Sequence, residues 1–202
     1  MMIVACVLYI VAFLIFLLIY FGIYRPLYSH PFPGELEDVI PAVTAINLVE
    51  LERWVSEQMS DLMAQKLTPK ELRMARRRRR QMIADRLAPV EANARLLLAF
   101  SRHQVRSIRS KPLGPRSERD RLAEDLFDRA QHCCLLLTFA KATRIFMPWD
   151  TRRLIKFHRE IVERDVRELL LLFLKLSATY GEYCRDNLLA ALDVWELAEE
   201  AS

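Results

Sequence analysis

The first charged side chain in this chain is Arg25. Residues 3–24 read IVACVLYIVAFLIFLLIYFGIY, 22 positions without Asp, Glu, Lys or Arg. At 1.5 Å rise per residue such a run makes about 33 Å of helix, enough to cross a hydrocarbon core. Tyr20, Tyr24 and Tyr28 fall where an interfacial aromatic belt sits. A cleaved signal peptide needs a basic start, a shorter apolar stretch and a small-x-small cleavage site. The segment FGIYRPLYSH provides none of these. The expectation is one uncleaved transmembrane helix over residues 1–24 in the inner (plasma) membrane, contacting the lipid bilayer through residues 3–24. No Lys or Arg precedes the run and Arg25 follows it, so the positive-inside rule puts the body in the cytoplasm. Cys133, Cys134 and Cys184 agree: two are adjacent, which is not the spacing of a secreted disulfide framework.

Residues 25–35 form a second segment. Pro26, Pro31, Pro33 and Gly34 make it an extended linker, because Pro fixes φ and removes a backbone donor. Residues 36–202 then form a single helical domain. Leu48, Leu51, Val55, Met59 and Leu62 recur at helical spacing in a first helix that starts near residue 36 or 41 and reaches Lys66. Thr68, Pro69 and Glu71 read as a capping box opening a second helix to about Ser110. Its stripe is Ile83, Leu87, Val90, Ala94, Leu97, Ser101, Val105 and Ile108, with Pro89 expected to kink or split it. The loop SKPLGPRS leads to Ser117, the cap of a third helix with stripe Leu122, Leu126, Ala130, Cys133, Leu137 and Ala140. That helix ends before Pro148, and Asp150 or Thr151 caps the next. From there a helical period continues through Ile161, Val166, Leu169, Phe173, Leu176, Tyr180, Asn187, Ala191 and Trp195, interrupted only by Gly181. No alternating β-branched run with hairpin turns occurs. The fold class expected is all-α: one N-terminal transmembrane helix plus a bundle-like body of four to five antiparallel helices. LLLAF at 96–100, LLLTF at 135–139 and LLLLF at 169–173 are each apolar round the whole helix, so they should share a central layer. A helical repeat is the sharper reading of their 39- and 34-residue spacings.

Function classes are narrowed mainly by what is missing. There is no Gly-x-Ser-x-Gly, phosphate loop, His-Glu-x-x-His or di-iron Glu-x-x-His tetrad, and no cofactor motif. His132, Cys133 and Cys134 diverge by about 100° each on a helix and read as packing rather than as a zinc site. The segment ERDVRE at 163–168 reads as a solvated, self-paired face.

The charge is unevenly spread. Residues 66–121 hold 17 Lys and Arg against 5 acids, a net of +12, while the flanks are acidic: −5 over 25–65 and −3 over 122–202. At the centre is MARRRRRQM, where Arg76, Arg77, Arg78, Arg79 and Arg80 sweep about 400° and spare no face of the helix. Counting back from Ile83 along the apolar stripe leads to Arg79, Arg76 and Leu72, so the inward line changes from Leu to Arg. The plainest reading is internal pairing with Glu50, Glu52, Glu57 and Asp61, each exposed pair adding about 0–1 kcal/mol. The others are an anionic protein partner, lipid headgroups, and nucleic acid, the weakest because no aromatic interleaves the arginines to stack a base. Together these features predict a membrane-anchored interaction protein (a scaffold, adaptor or assembly factor) that binds another protein, and they leave an oligomer open. Its candidate surface is Arg73, Arg76, Arg77, Arg78, Arg79, Arg80 and Arg86. An anionic-ligand binder using the same cluster is the first alternative. An enzyme with a site dispersed over several helices is the second.

Overall fold

The side chains of Asn47, Ser56 and Ser117 cap the helices that follow them. A computed structural model describes residues 34–110, 115–146 and 151–198, together with seven positions between Ile10 and Tyr20. Among them, α1 (Leu36–Val39) runs into a 3-10 turn at Ile40–Ala42. Then come α2 (Leu48–Val55), α3 (Glu57–Lys66), α4 (Pro69–Ser110) and α5 (Glu118–Phe146). A continuous stretch follows: α6 (Thr151–Glu160), a π-helical segment at Ile161–Val166, and α7 (Arg167–Ala178). The last elements are α8 (Glu182–Leu192) and a 3-10 turn at Trp195–Leu197. No strand occurs among the described residues. Helix α4 packs along α5, α5 along α7, and α7 against α8, while α2 lies across α4 and α6.

The body is all-α and bundle-like, as expected, but the first helix is broken where one was predicted. Asn47 caps α2, its side chain accepting from the Glu50 N–H at 2.7 Å. Ser56 then takes an extended conformation, and its Oγ accepts from the Met59 N–H at 3.4 Å, so α3 restarts after one residue. A serine hydroxyl competes for backbone N–H groups in this way, which suits a cap better than a helix interior. Ahead of α2, the buried Asn93 amide grips the Thr44 backbone on both sides, at 2.8 and 2.7 Å. By contrast, α4 runs through Pro89 as one 42-residue helix, about 63 Å long. The proline frees the carbonyl of Asp85, an exposed residue where water can serve it. After α7 the chain turns at Gly181, whose φ of 125° strains any residue with a Cβ.

The predicted stripes are the core. Ile83, Leu87, Val90, Ala94, Leu97, Ser101 and Val105 are buried on α4, and Leu126, Ala130, Cys133, Leu137 and Ala140 on α5. Leu62 and Trp195 depart from the expectation and are exposed. The leucine-rich pentads all contribute to the core, but they are not each surrounded by protein. Phe100 and Phe173 are both fully buried and meet edge to face at 6.1 Å, while Phe139 is exposed and meets Phe157 edge to face at 5.5 Å.

The expected transmembrane helix is not found. Most of residues 1–24 lie outside the described residues, among which no helix is long and apolar enough to cross a membrane. The linker over 25–33, residues 111–114, the end at Pro148 and the cap at Asp150 also lie outside them.

Candidate functional site

From Ser56 to Arg78 no residue is buried. This stretch is a helical hairpin: α3, the turn at Leu67–Thr68, and the first turns of α4. Thr68 anchors the turn, with its N–H and its hydroxyl both donating to the Glu71 carboxylate, at 3.0 and 2.6 Å. Those two bonds hold the Glu71 carboxyl below its usual range. The capping box is thus made through Glu71. Leu62 and Met74 are exposed on this hairpin, and Met74 adjoins Arg73 in the chain.

The arginines separate by depth. Arg79 is only 1% exposed. Its Nε donates to the Trp54 carbonyl at 2.7 Å, Nη1 to Ser60 Oγ at 2.6 Å, and Nη2 to the Ser56 carbonyl at 2.7 Å. Trp54 and Ser56 stand at the C-terminal end of α2, where carbonyls lack helical partners and the helix dipole is negative. Arg79 therefore clasps α2 and α3 onto α4 from inside. Burial pushes its guanidinium below its usual range. Arg86 pairs with Glu50, and Arg73 Nε donates to the Pro69 carbonyl at 3.3 Å. Arg76 and Arg80 are half-buried, and Arg77 and Arg78 are exposed. The acids of the preceding segment go mostly elsewhere: Glu57 to Arg159 at 3.0 Å and Glu52 to Arg167 at 3.7 Å. Among the described residues no carboxylate pairs with Arg73, Arg76, Arg77, Arg78 or Arg79. Outside the run, Arg86 is neutralised by Glu50.

Arg76 and Arg79 also line a cleft of about 380 Å³ between α3, α4 and α6. Helix α6 contributes Ile155, Lys156 and Arg159. No motif in the sequence pointed to those cations.

A second charged cluster was misread from sequence. Asp165, in the π-helical segment, is fully buried rather than solvated. It bonds Arg129 Nη1 at 3.1 Å, His132 Nδ1 at 3.2 Å and its neighbour Arg164 at 3.2 Å, and Arg129 also pairs with Glu168. The available signal was its register: 161, 165, 169 and 173 form one line, and all four positions are buried. Cys133 and Cys134 are buried free thiols. Burial, reinforced by the neighbouring Cys134 and Asp165, drives Cys133 far up, and burial pushes Cys134 up to about 12, so neither is a nucleophile at neutral pH. Among the described residues no three His, Cys, Asp or Glu side chains are grouped to hold a metal.

No protein-family model, no curated protein and no solved structure matches this chain.

Proposed function

We propose that this chain is a membrane-anchored, non-catalytic interaction protein whose helical body binds an acidic partner protein through the 56–78 hairpin. One observation carries this reading. A 23-residue hairpin with no buried residue exposes Leu62 and presents Met74 one residue from Arg73 and three and four from Arg77 and Arg78, none of which has a carboxylate partner among the described residues. Exposed apolar side chains rimmed by unneutralised charge are what a partner with acids around an apolar anchor would cover.

The anchor rests on the 22-residue uncharged run. At its described positions Ile10, Val11, Phe13 and Phe16 the backbone is helical and the side chains are exposed, so the body does not cover them. Arg25 puts the body on the cytoplasmic face.

The lipid alternative is less favoured on geometry. Gln104 Nε2 donates to the Gly34 carbonyl at 2.9 Å, so the linker reaches the body near the C-terminal end of α4. Arg78 lies 26 residues earlier on the same helix, about 39 Å away. The nine residues 25–33 span at most about 30 Å. The arginine run meets headgroups only when the body lies flat.

The test is affinity purification of the full-length chain from its own membranes, comparing wild type with Met74→Ser/Arg77→Gln/Arg78→Gln. All three side chains are exposed, so the fold survives the changes. A stoichiometric protein recovered with wild type and lost from the variant supports the reading. Equal recovery of the same proteins with both contradicts it.

A further inference from the structure

The cleft between α3, α4 and α6 is built differently from the hairpin surface beside it. Its apolar side comes from Val55 and Ile155, both buried, with Met63 and Ala64. Its cationic side comes from Arg76, Arg79, Lys156 and Arg159. Two acids also line it. Glu57 is engaged by Arg159 at 3.0 Å, and Asp61 has no ion-pair partner among the described residues. That leaves Arg76, Lys156 and Arg79 against Asp61.

Arg79 makes this imbalance unusual. It is buried, each of its nitrogens is engaged once, and every acceptor is a neutral oxygen. Buried charges in folded proteins are as a rule paired with an opposite charge, because desolvation is otherwise uncompensated. Here the dipole of α2 and neutral acceptors offset it, and among the described residues neither Arg76 nor Lys156, which line the same cleft, has an ion-pair partner. Arg77 and Arg78 do not line this cleft, so it is separate from the exposed part of the run.

We propose that this cleft is a binding site for a small amphiphile with one anionic headgroup, carboxylate or phosphate, on a short aliphatic body. The headgroup takes Arg76 and Lys156 beside the Arg79 guanidinium, whose planar donors suit either oxyanion. The aliphatic part lies against Val55, Met63 and Ile155. The volume, about 380 Å³, is at the lower end of small-ligand sites.

The test is equilibrium dialysis of radiolabelled hexanoate and hexyl phosphate against the full-length chain in lipid nanodiscs, with empty nanodiscs as the partition blank. Hexanol and inorganic phosphate serve as the headless and bodiless controls. The expected result is saturable binding near one ligand per chain, at least tenfold tighter for an anionic amphiphile than for either control. The tighter of the two amphiphiles names the headgroup. Arg76→Gln/Lys156→Gln should weaken it tenfold or more, while Arg77→Gln/Arg78→Gln should leave it unchanged. Uptake no greater than by empty nanodiscs, equal binding of hexanol, or wild-type binding by Arg76→Gln/Lys156→Gln would overturn the proposal. Because the two variant pairs are separate, loss of the protein partner and loss of this ligand are read independently.

Discussion

Replacing Arg79 by Met removes three hydrogen bonds and leaves the Trp54 and Ser56 carbonyls without their donor. A buried polar group that loses its partner costs about 1–3 kcal/mol. Arg79→Met should therefore lower stability by roughly 2–4 kcal/mol, read as a shift of the urea midpoint. Arg79→Lys should recover only part of this, because an ammonium cannot reproduce the planar fork. An unchanged midpoint would remove Arg79 from its role as a clasp. At the second buried charge, Arg129→Met leaves Asp165 without its best cation and should cost roughly 3–5 kcal/mol. Adding Asp165→Asn should return part of the loss, since the uncompensated carboxylate is gone. Equal cost for single and double variants would mean that the two side chains are not coupled. Glu71 gives a pH signature. Its carboxyl is held down by Thr68 only in the folded state, so the stabilisation is complete above the ordinary Glu range and fades as pH falls through the lowered value. Thr68→Val should return the Glu71 titration, followed by NMR, toward its ordinary position; no movement would rule out the turn as its cause.

Helices were legible in this sequence to the extent that their apolar periods lead into the core. The stripe from Ile83 to Val105 is buried throughout, and extending it backwards led to Arg79, the one member of the run that is buried. Breaks were less legible. A single extended serine at position 56 divides two helices, and nothing in the spacing of Leu51, Val55 and Met59 reveals it. The pentads misled because five apolar residues can wrap a helix that still has one side to solvent, as Phe139 shows. Asp165 was hidden by its charged neighbours, although its register matched the buried line. The joint to the linker is testable at this scale. Gly34 has φ of 102°, and a Cβ there would stand 2.7 Å from His103 Cε1, whereas a Cβ at Gly181 would meet nothing within 4 Å. Gly181→Ala and Gly34→Ala should each cost about 1–3 kcal/mol from backbone strain, the exposed His103 ring swinging aside from the new Cβ at position 34. Gly34→Ala/His103→Ala should then be no more stable than Gly34→Ala. Thermal melts of the three variants decide it, and a double variant clearly more stable than Gly34→Ala would show that the ring cannot move.

Taken whole, the molecule places its two unusual features at opposite ends of a 42-residue helix. Near Gln104 the body meets the linker that follows the uncharged run. Near Arg78 it presents a basic hairpin that contributes no buried residue before Arg79. The modest net charge of +4 conceals this polarity. The cleft beside the hairpin was not readable from sequence, because Lys156 and Arg159 come from a helix distant in the chain and carry no motif. What covers the hairpin decides whether the chain is an interaction protein. The direct measurement is photo-crosslinking in native membranes from a photoreactive residue at position 74, with position 183, also exposed, on α8 as the control. The account predicts one discrete protein adduct from position 74, absent from position 183 and abolished by Arg77→Gln/Arg78→Gln. Adducts with lipid alone, or the same protein adduct from both positions, would contradict it.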